Sequence, residues 1–87
     1  MDVRFQFARS ARRHRIAKGR AQAAMANAVL FAIEQREDGR HIGLFLGVDN
    51  RGLLLEIGVG GLDDTATPVW MVVHVMPYRF SKYSKRK

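Results

Sequence analysis

The chain has 87 residues, a formal net charge of +7 and no cysteine. This length makes one small domain of marginal stability, burying only roughly 60–65% of its unfolded surface, and an apolar share of 47% is too high for a disordered chain. Without cysteine there are no disulfides and no thiolate metal sites, and a reducing cytoplasm suits the chain.

Taken in order, Val3 to Phe7 (VRFQF) alternates at period two, the pattern of a short strand. From Ala8 the period becomes helical: Phe7, Ala11 and His14 share one face, Arg9, Arg12 and Arg13 another. Ala21, Ala24, Met25 and Ala28 repeat that spacing and Ala32 continues it. Gly19, which costs about 1 kcal/mol inside a helix, falls between the two patterns. The reading is two short helices, at 8–14 and 18–30, with a turn near Ile16 to Gly19; a single bent helix is the alternative. The polar stretch 34–40 (EQREDGR) ends in Asp-Gly and reads as a loop. Two apolar runs, HIGLFLGV and LLLEIGV, flank Asp49 to Gly52 and form a hairpin signal. Residues 60–68 read as a further loop, and Val69 to Met76 (VWMVVHVM) as a central strand covered on both faces and ended by Pro77. The expected architecture is α+β: a short N-terminal strand and two helices packed on a three- to four-stranded antiparallel sheet. Residues 1–80 make the domain and 81–87 a basic tail that frays at its end.

Charge is uneven along the chain. Residues 1–20 carry seven Arg or Lys against Asp2, residues 21–76 carry three against seven acids, and residues 77–87 carry five with no acid. Two basic ends around an acidic middle suit a polyanionic partner, provided the ends meet in space. They suit an acidic protein equally, or a solvated basic surface. The basic start followed by Ala21 to Ile33 has the outline of a leader peptide. Gln22 and Asn27 interrupt its apolar part, and no small cleavage residues follow, so the segment is expected to belong to the fold. No apolar run approaches the roughly 18 residues of a membrane span.

Few residues offer chemistry. His14, His41 and His74 lie far apart with no local ligand pair, so no metal site and no cofactor is expected. Gly58 to Gly61 (GVGG) lacks the third glycine and the following helix of a dinucleotide loop. His74 is the conspicuous residue. On a regular strand Val69, Met71, Val73 and Val75 share one face, and Trp70, Val72, His74 and Met76 the other. A histidine there needs a partner, and Glu56 on the preceding strand supplies one if the register puts them on one face. Such a pair is either structural or a general acid or base with its carboxylate. His14 reads by itself as a residue at the rim of the core.

Several stretches together, ARSARRHRI before the Ala-rich segment, IGLFLGVDNRGLLLEIGV, and VVHVMPYRF, resemble a family of small actinobacterial toxins of toxin–antitoxin pairs. These are similar to BrnT toxins of the RelE/ParE superfamily. The resemblance covers residues 7–80 and implies two helices on an antiparallel sheet. It implies a metal-independent ribonuclease that inhibits translation and growth, acts in the cytoplasm and is neutralised by a cognate antitoxin, a small acidic or ribbon-helix-helix protein. The family's K-H-G element falls on Arg13, His14 and Arg15, its V-D-x-R-G turn on Val48, Asp49, Arg51 and Gly52, and its glutamate on Glu56. Its H-x-M-P strand and trailing arginine fall on His74, Met76, Pro77 and Arg79. On that reading His14, Arg13, His74 and Arg79 are catalytic. Arg9, Arg12, Arg15, Arg51 and Lys82 hold RNA phosphate, and Glu56 and Asp49 give structural support. Arg15 stands where the family has a helix-ending glycine, so the turn is expected elsewhere, and Arg13 is a poor proton donor in place of lysine. The RNA would be free or ribosome-associated mRNA, and the assembly a homodimer or a toxin–antitoxin hetero-oligomer. The alternatives are a nucleic-acid-binding module without catalysis, its helices acting as a helix-turn-helix, and a toxin that works by protein contact, as gyrase poisons do.

Overall fold

The computed structural model describes residues 4–61 and 69–84. Strands β1 (Arg4–Phe7), β2 (Val29–Gln35), β3 (His41–Val48), β4 (Leu54–Gly60) and β5 (Val69–Pro77) form one sheet in the order β1-β5-β4-β3-β2. Helix α1 (Lys18–Met25) packs on one face, over β3 and β4. The fold is therefore α+β, one helix on a five-stranded mixed sheet. The hairpin from β3 to β4 and the interior position of β5, between β1 and β4, follow the sequence pattern. Most of the loop expected at 60–68, and the last three residues, lie outside the described residues.

Two expectations are corrected. The sheet is not antiparallel throughout, because β1 runs parallel to β5. The whole intervening chain separates these strands, so no tight turn forces them into opposite directions. There are also not two helices among the described residues. Residues 8–14 hold only a four-residue 3-10 turn, Arg9–Arg12, and Arg15 then takes a left-handed backbone with φ of 56°. The turn is thus made at Arg15 itself, where a side chain costs roughly 1–2 kcal/mol relative to glycine. With one α-helix, the described chain contains no helix-turn-helix.

The second helix stops at Met25 rather than 30. Asn27 ends it: its amide donates to the carbonyls of Ala23 and Val48, and its side-chain oxygen accepts from the Val48 amide at 2.9 Å. One side chain thereby fastens the helix end to β3. The following Val29-Leu30-Phe31-Ala32-Ile33, rich in residues that favour strands, extends as β2 along the free edge of β3. Above β3 the helix passes so close that a β-carbon on Gly47 would lie 2.1 Å from the Ala24 carbonyl oxygen, which is why a glycine stands there.

Helix and sheet enclose an apolar core: Ala11, Ala21, Ala24, Leu55, Ile57, Val59, Val72 and Val75 are all nearly or fully buried. The even-spaced faces expected of β5 are broken by a bulge. His74 pairs with Gly58 but Val72 with Val59, leaving Val73 as an extra residue. Val72 and Val75 therefore both face the core, while His74 is turned to the sheet's other face. The bulge is pinned from the N-terminal segment, where the Ser10 hydroxyl donates to the Val73 carbonyl at 2.7 Å and the Ala8 amide to that of Val72. After Pro77 the chain makes two 3-10 turns, Tyr78–Phe80 and Lys82–Ser84. Of residues 81–84, assigned from sequence to a tail, Ser81 is buried while Lys82 and Tyr83 are exposed.

Candidate functional site

The sheet face opposite α1 carries the polar groups. On β4 Glu56 and Gly58 lie between the core positions Leu55, Ile57 and Val59, and Gly60 follows them. The bulge brings His74 to the same face, diagonal to Glu56. His74 Nε2 lies 2.8 Å from Glu56 Oε2, with the glutamate buried and the histidine side chain 29% exposed. The carboxylate can only accept, so a neutral His74 donates through Nε2 and keeps the Nδ1 lone pair. The other oxygen, Oε1, accepts a short hydrogen bond from the buried Ser81 hydroxyl. That hydroxyl in turn accepts from the Tyr83 amide at 3.1 Å. Ile42, Leu44, Met76 and Tyr83 line a cavity of about 260 Å³ beside the pair.

His14 reaches the same place from the N-terminal segment. Its ring meets that of His74 edge to face, with centroids 6.3 Å apart. The Ser10 anchor and the left-handed Arg15 bracket the segment that presents it. The two basic ends therefore converge on one pair, the first through His14 against His74 and the second through Ser81 against Glu56.

The remaining sequence candidates divide. Arg9, Arg12, Arg13 and Arg15 are exposed around the 3-10 turn that leads to His14. Arg12 and Arg15 line a separate cavity of about 380 Å³ over Phe7 and Ile16. Arg79 is exposed just beyond β5, its guanidinium over the Phe80 ring. Lys82 is engaged: its ammonium lies 2.8 Å from Glu34 Oε2, and the Tyr83 hydroxyl donates to the same carboxylate. Those two donors, Lys82 foremost, hold the Glu34 carboxyl below its ordinary 4.5, while the carboxylate raises both Lys82 and Tyr83.

Arg51 is not brought to the histidines; it is exposed on the turn between β3 and β4 and does not line the Glu56 cavity. Asp49, on the same turn, is buried and shapes it. Its Oδ1 accepts the Arg51 and Leu53 amides at 2.8 and 2.9 Å, and its Oδ2 holds Arg20 Nε of α1 at 2.7 Å. Burial pushes this carboxyl up, but the Leu53 amide, the Arg20 guanidinium and the Arg51 amide together outweigh it and leave the carboxyl lowered.

Ser81, Glu34, Tyr83 and Arg20 carry the site or its supports without any sequence signal. Serine and tyrosine in a basic stretch have the look of a solvated end, and Glu34 that of a loop. Among the described residues no three His, Asp or Glu side chains converge as a metal site, and no helix is long and apolar enough to cross a membrane. No family model matches the chain, and no curated protein or solved structure matches it.

Proposed function

We propose that this chain is a metal-independent ribonuclease, acting as the toxin of a toxin–antitoxin pair in the cytoplasm. The observation that carries the nuclease reading is the meeting of His14 and His74 at 6.3 Å, with Glu56 behind His74, where two strongly basic segments converge. Two proton carriers a phosphate's breadth apart, set among cations, are what cleavage through the RNA's own 2′-hydroxyl requires. His74, oriented by Glu56, takes the 2′-hydroxyl proton through Nδ1 as that oxygen attacks phosphorus. The bond to the 5′-oxygen breaks, and His14 supplies that oxygen with its proton, leaving a 2′,3′-cyclic phosphate and a 5′-hydroxyl. Arg13, flanked in sequence by Arg12 and Arg15, stabilises the charge growing on phosphate, with Arg79 from the C-terminal segment as the second cation; Arg9 adds a more distant phosphate contact. Lys82 joins them only on release from Glu34, and Arg51 lies beyond this group.

The toxin setting rests on the sequence resemblance alone. An acidic antitoxin laid across both basic ends would cover the charge and the histidines together.

Purified chain should cut single-stranded RNA in the presence of a chelator and leave cyclic phosphate ends. His14→Ala and His74→Ala should each lower the rate by about 10²–10⁴-fold. Undiminished cleavage by both variants would sink the reading. For the toxin setting, expression should arrest growth through translation; arrest with DNA damage and intact RNA would point to protein contact instead.

A further inference from the structure

We infer that Ser81 is a positioning residue, delivered by the C-terminal segment, that sets the Glu56 carboxylate and through it the tautomer of His74. Its effect on cleavage rests on the nuclease reading above; its effect on the imidazole does not.

Glu56 is nearly inaccessible, at 4% exposure, and its two oxygens are divided between two partners: Oε2 holds His74 and Oε1 holds Ser81. A buried carboxylate with one partner can rotate and exchange its oxygens; with a donor on each oxygen it cannot. Ser81 is itself 1% exposed and is oriented by the Tyr83 amide, so its hydroxyl proton has one acceptor to point at.

Ser81 is not held there by strand pairing. It belongs to a segment that leaves β5 at Pro77 and crosses the helix-free face toward β2. There Tyr78 and Tyr83 pack edge-on against Phe31, and Lys82 and Tyr83 close on Glu34. A second bulge, at Phe31 in β2, offsets that residue from the regular ladder. The segment is thus fastened to the far edge strand β2 at one end and to β5 at the other. Ser81 sits between, over Glu56, so half of the pair's orientation comes from residues beyond the last strand.

The test reads the His74 ring nitrogens by ¹⁵N NMR in the full chain, above the pH where the ring is protonated. The wild-type chain should show a single tautomer with the proton on Nε2. Ser81→Ala should give a mixture of both tautomers, and Ser81→Thr, which returns the hydroxyl, should restore one. A single tautomer in Ser81→Ala overturns the inference, as does a mixture in Ala that Thr does not reduce. Should Ser81→Ala fail to fold, Ser81→Gly removes the same hydroxyl and should also mix the tautomers; a single tautomer there overturns the inference. In the cleavage assay Ser81→Ala should lower kcat by roughly 10–100-fold with KM within about twofold. A wild-type chain that cuts no RNA, together with mixed tautomers in Ser81→Ala, defeats the nuclease reading and leaves the role of Ser81 standing. Cleavage lost in His74→Ala but unchanged in Ser81→Ala does the reverse.

Discussion

The two faces of the sheet are built from the same strands and do opposite things. On the helix side Leu55, Ile57, Val59, Val72 and Val75 are sealed under two alanines of α1, and shape alone decides what fits. On the other side Glu56 and Ser81 are nearly as well hidden and His74 is part-exposed, and the three are joined by directed hydrogen bonds. Strand alternation places an apolar and an acidic residue next to each other in β4, and the Val73 bulge does the equivalent in β5. A small domain can thus spend one face on stability and keep the other for chemistry, provided one strand breaks its own period at the right residue.

The adjacent residues 56 and 57 test this division most severely. Ile57→Ala should cost about 2–5 kcal/mol of unfolding free energy, as deletion from a fully buried site does, and should leave the His74 tautomer unchanged in the folded molecules. Glu56→Gln should shift the denaturation midpoint less than Ile57→Ala while mixing the His74 tautomers and removing most of the cleavage. Urea melts and NMR on the two variants check both halves. Equal losses of stability with equal effects on His74 would mean the faces are not separable.

A smaller effect of opposite sign is expected at Arg15. Because its backbone is left-handed, Arg15→Gly should stabilise the fold by about 0.5–1 kcal/mol, the relief of the side-chain clash less the extra freedom of glycine in the unfolded chain. If the same variant weakens RNA binding, the arginine is retained for its charge at a measurable loss of stability. If RNA binding is unchanged, the charge there has no part in the site.

The smallest effect concerns the clasp of the C-terminal segment. Glu34 is lowered in the folded state, so its contribution is present above the ordinary glutamate value of 4.5 and lost as pH falls below it. Lys82 is raised, so its contribution persists through neutral pH and is lost only at strongly alkaline pH. The protection of the amides at residues 81–84, taken relative to the intrinsic exchange rate at each pH, should therefore fall on acidification between about pH 5 and 3, before the sheet opens. Glu34→Gln should remove that acid step. Unchanged protection across the range would show that the aromatic contacts with Phe31 hold the segment without the clasp.

Much of this molecule is legible in its residues. The period-two start, the hairpin around Asp49 to Gly52 and the apolar strand ending at Pro77 are strong local signals, and the structure places all three where the pattern does. Glu56 and His74 stand out as polar residues in apolar strands, and a buried pair must find one another. The helical reading of 26–30 fails because the alanine spacing at 24, 28 and 32 is compatible with a helix, while the contact that ends it, Asn27 with Val48, joins residues 21 positions apart. Local period carries no information about such a partner. The same holds for β1, whose parallel pairing with β5 depends on a strand more than sixty residues away.

The sequence by itself determined the strands with clean alternation, the two basic ends around an acidic middle, and the need of His74 for an acidic neighbour. Each is a property of adjacent residues or of summed charge. Only the tertiary structure decided that β5 bulges at Val73, that the two ends meet at one histidine–glutamate pair, and that Ser81 belongs to it. Those features arise from contacts between segments distant along the chain, where a single side chain such as Ser10 or Asn27 satisfies a backbone group that no local pattern reveals.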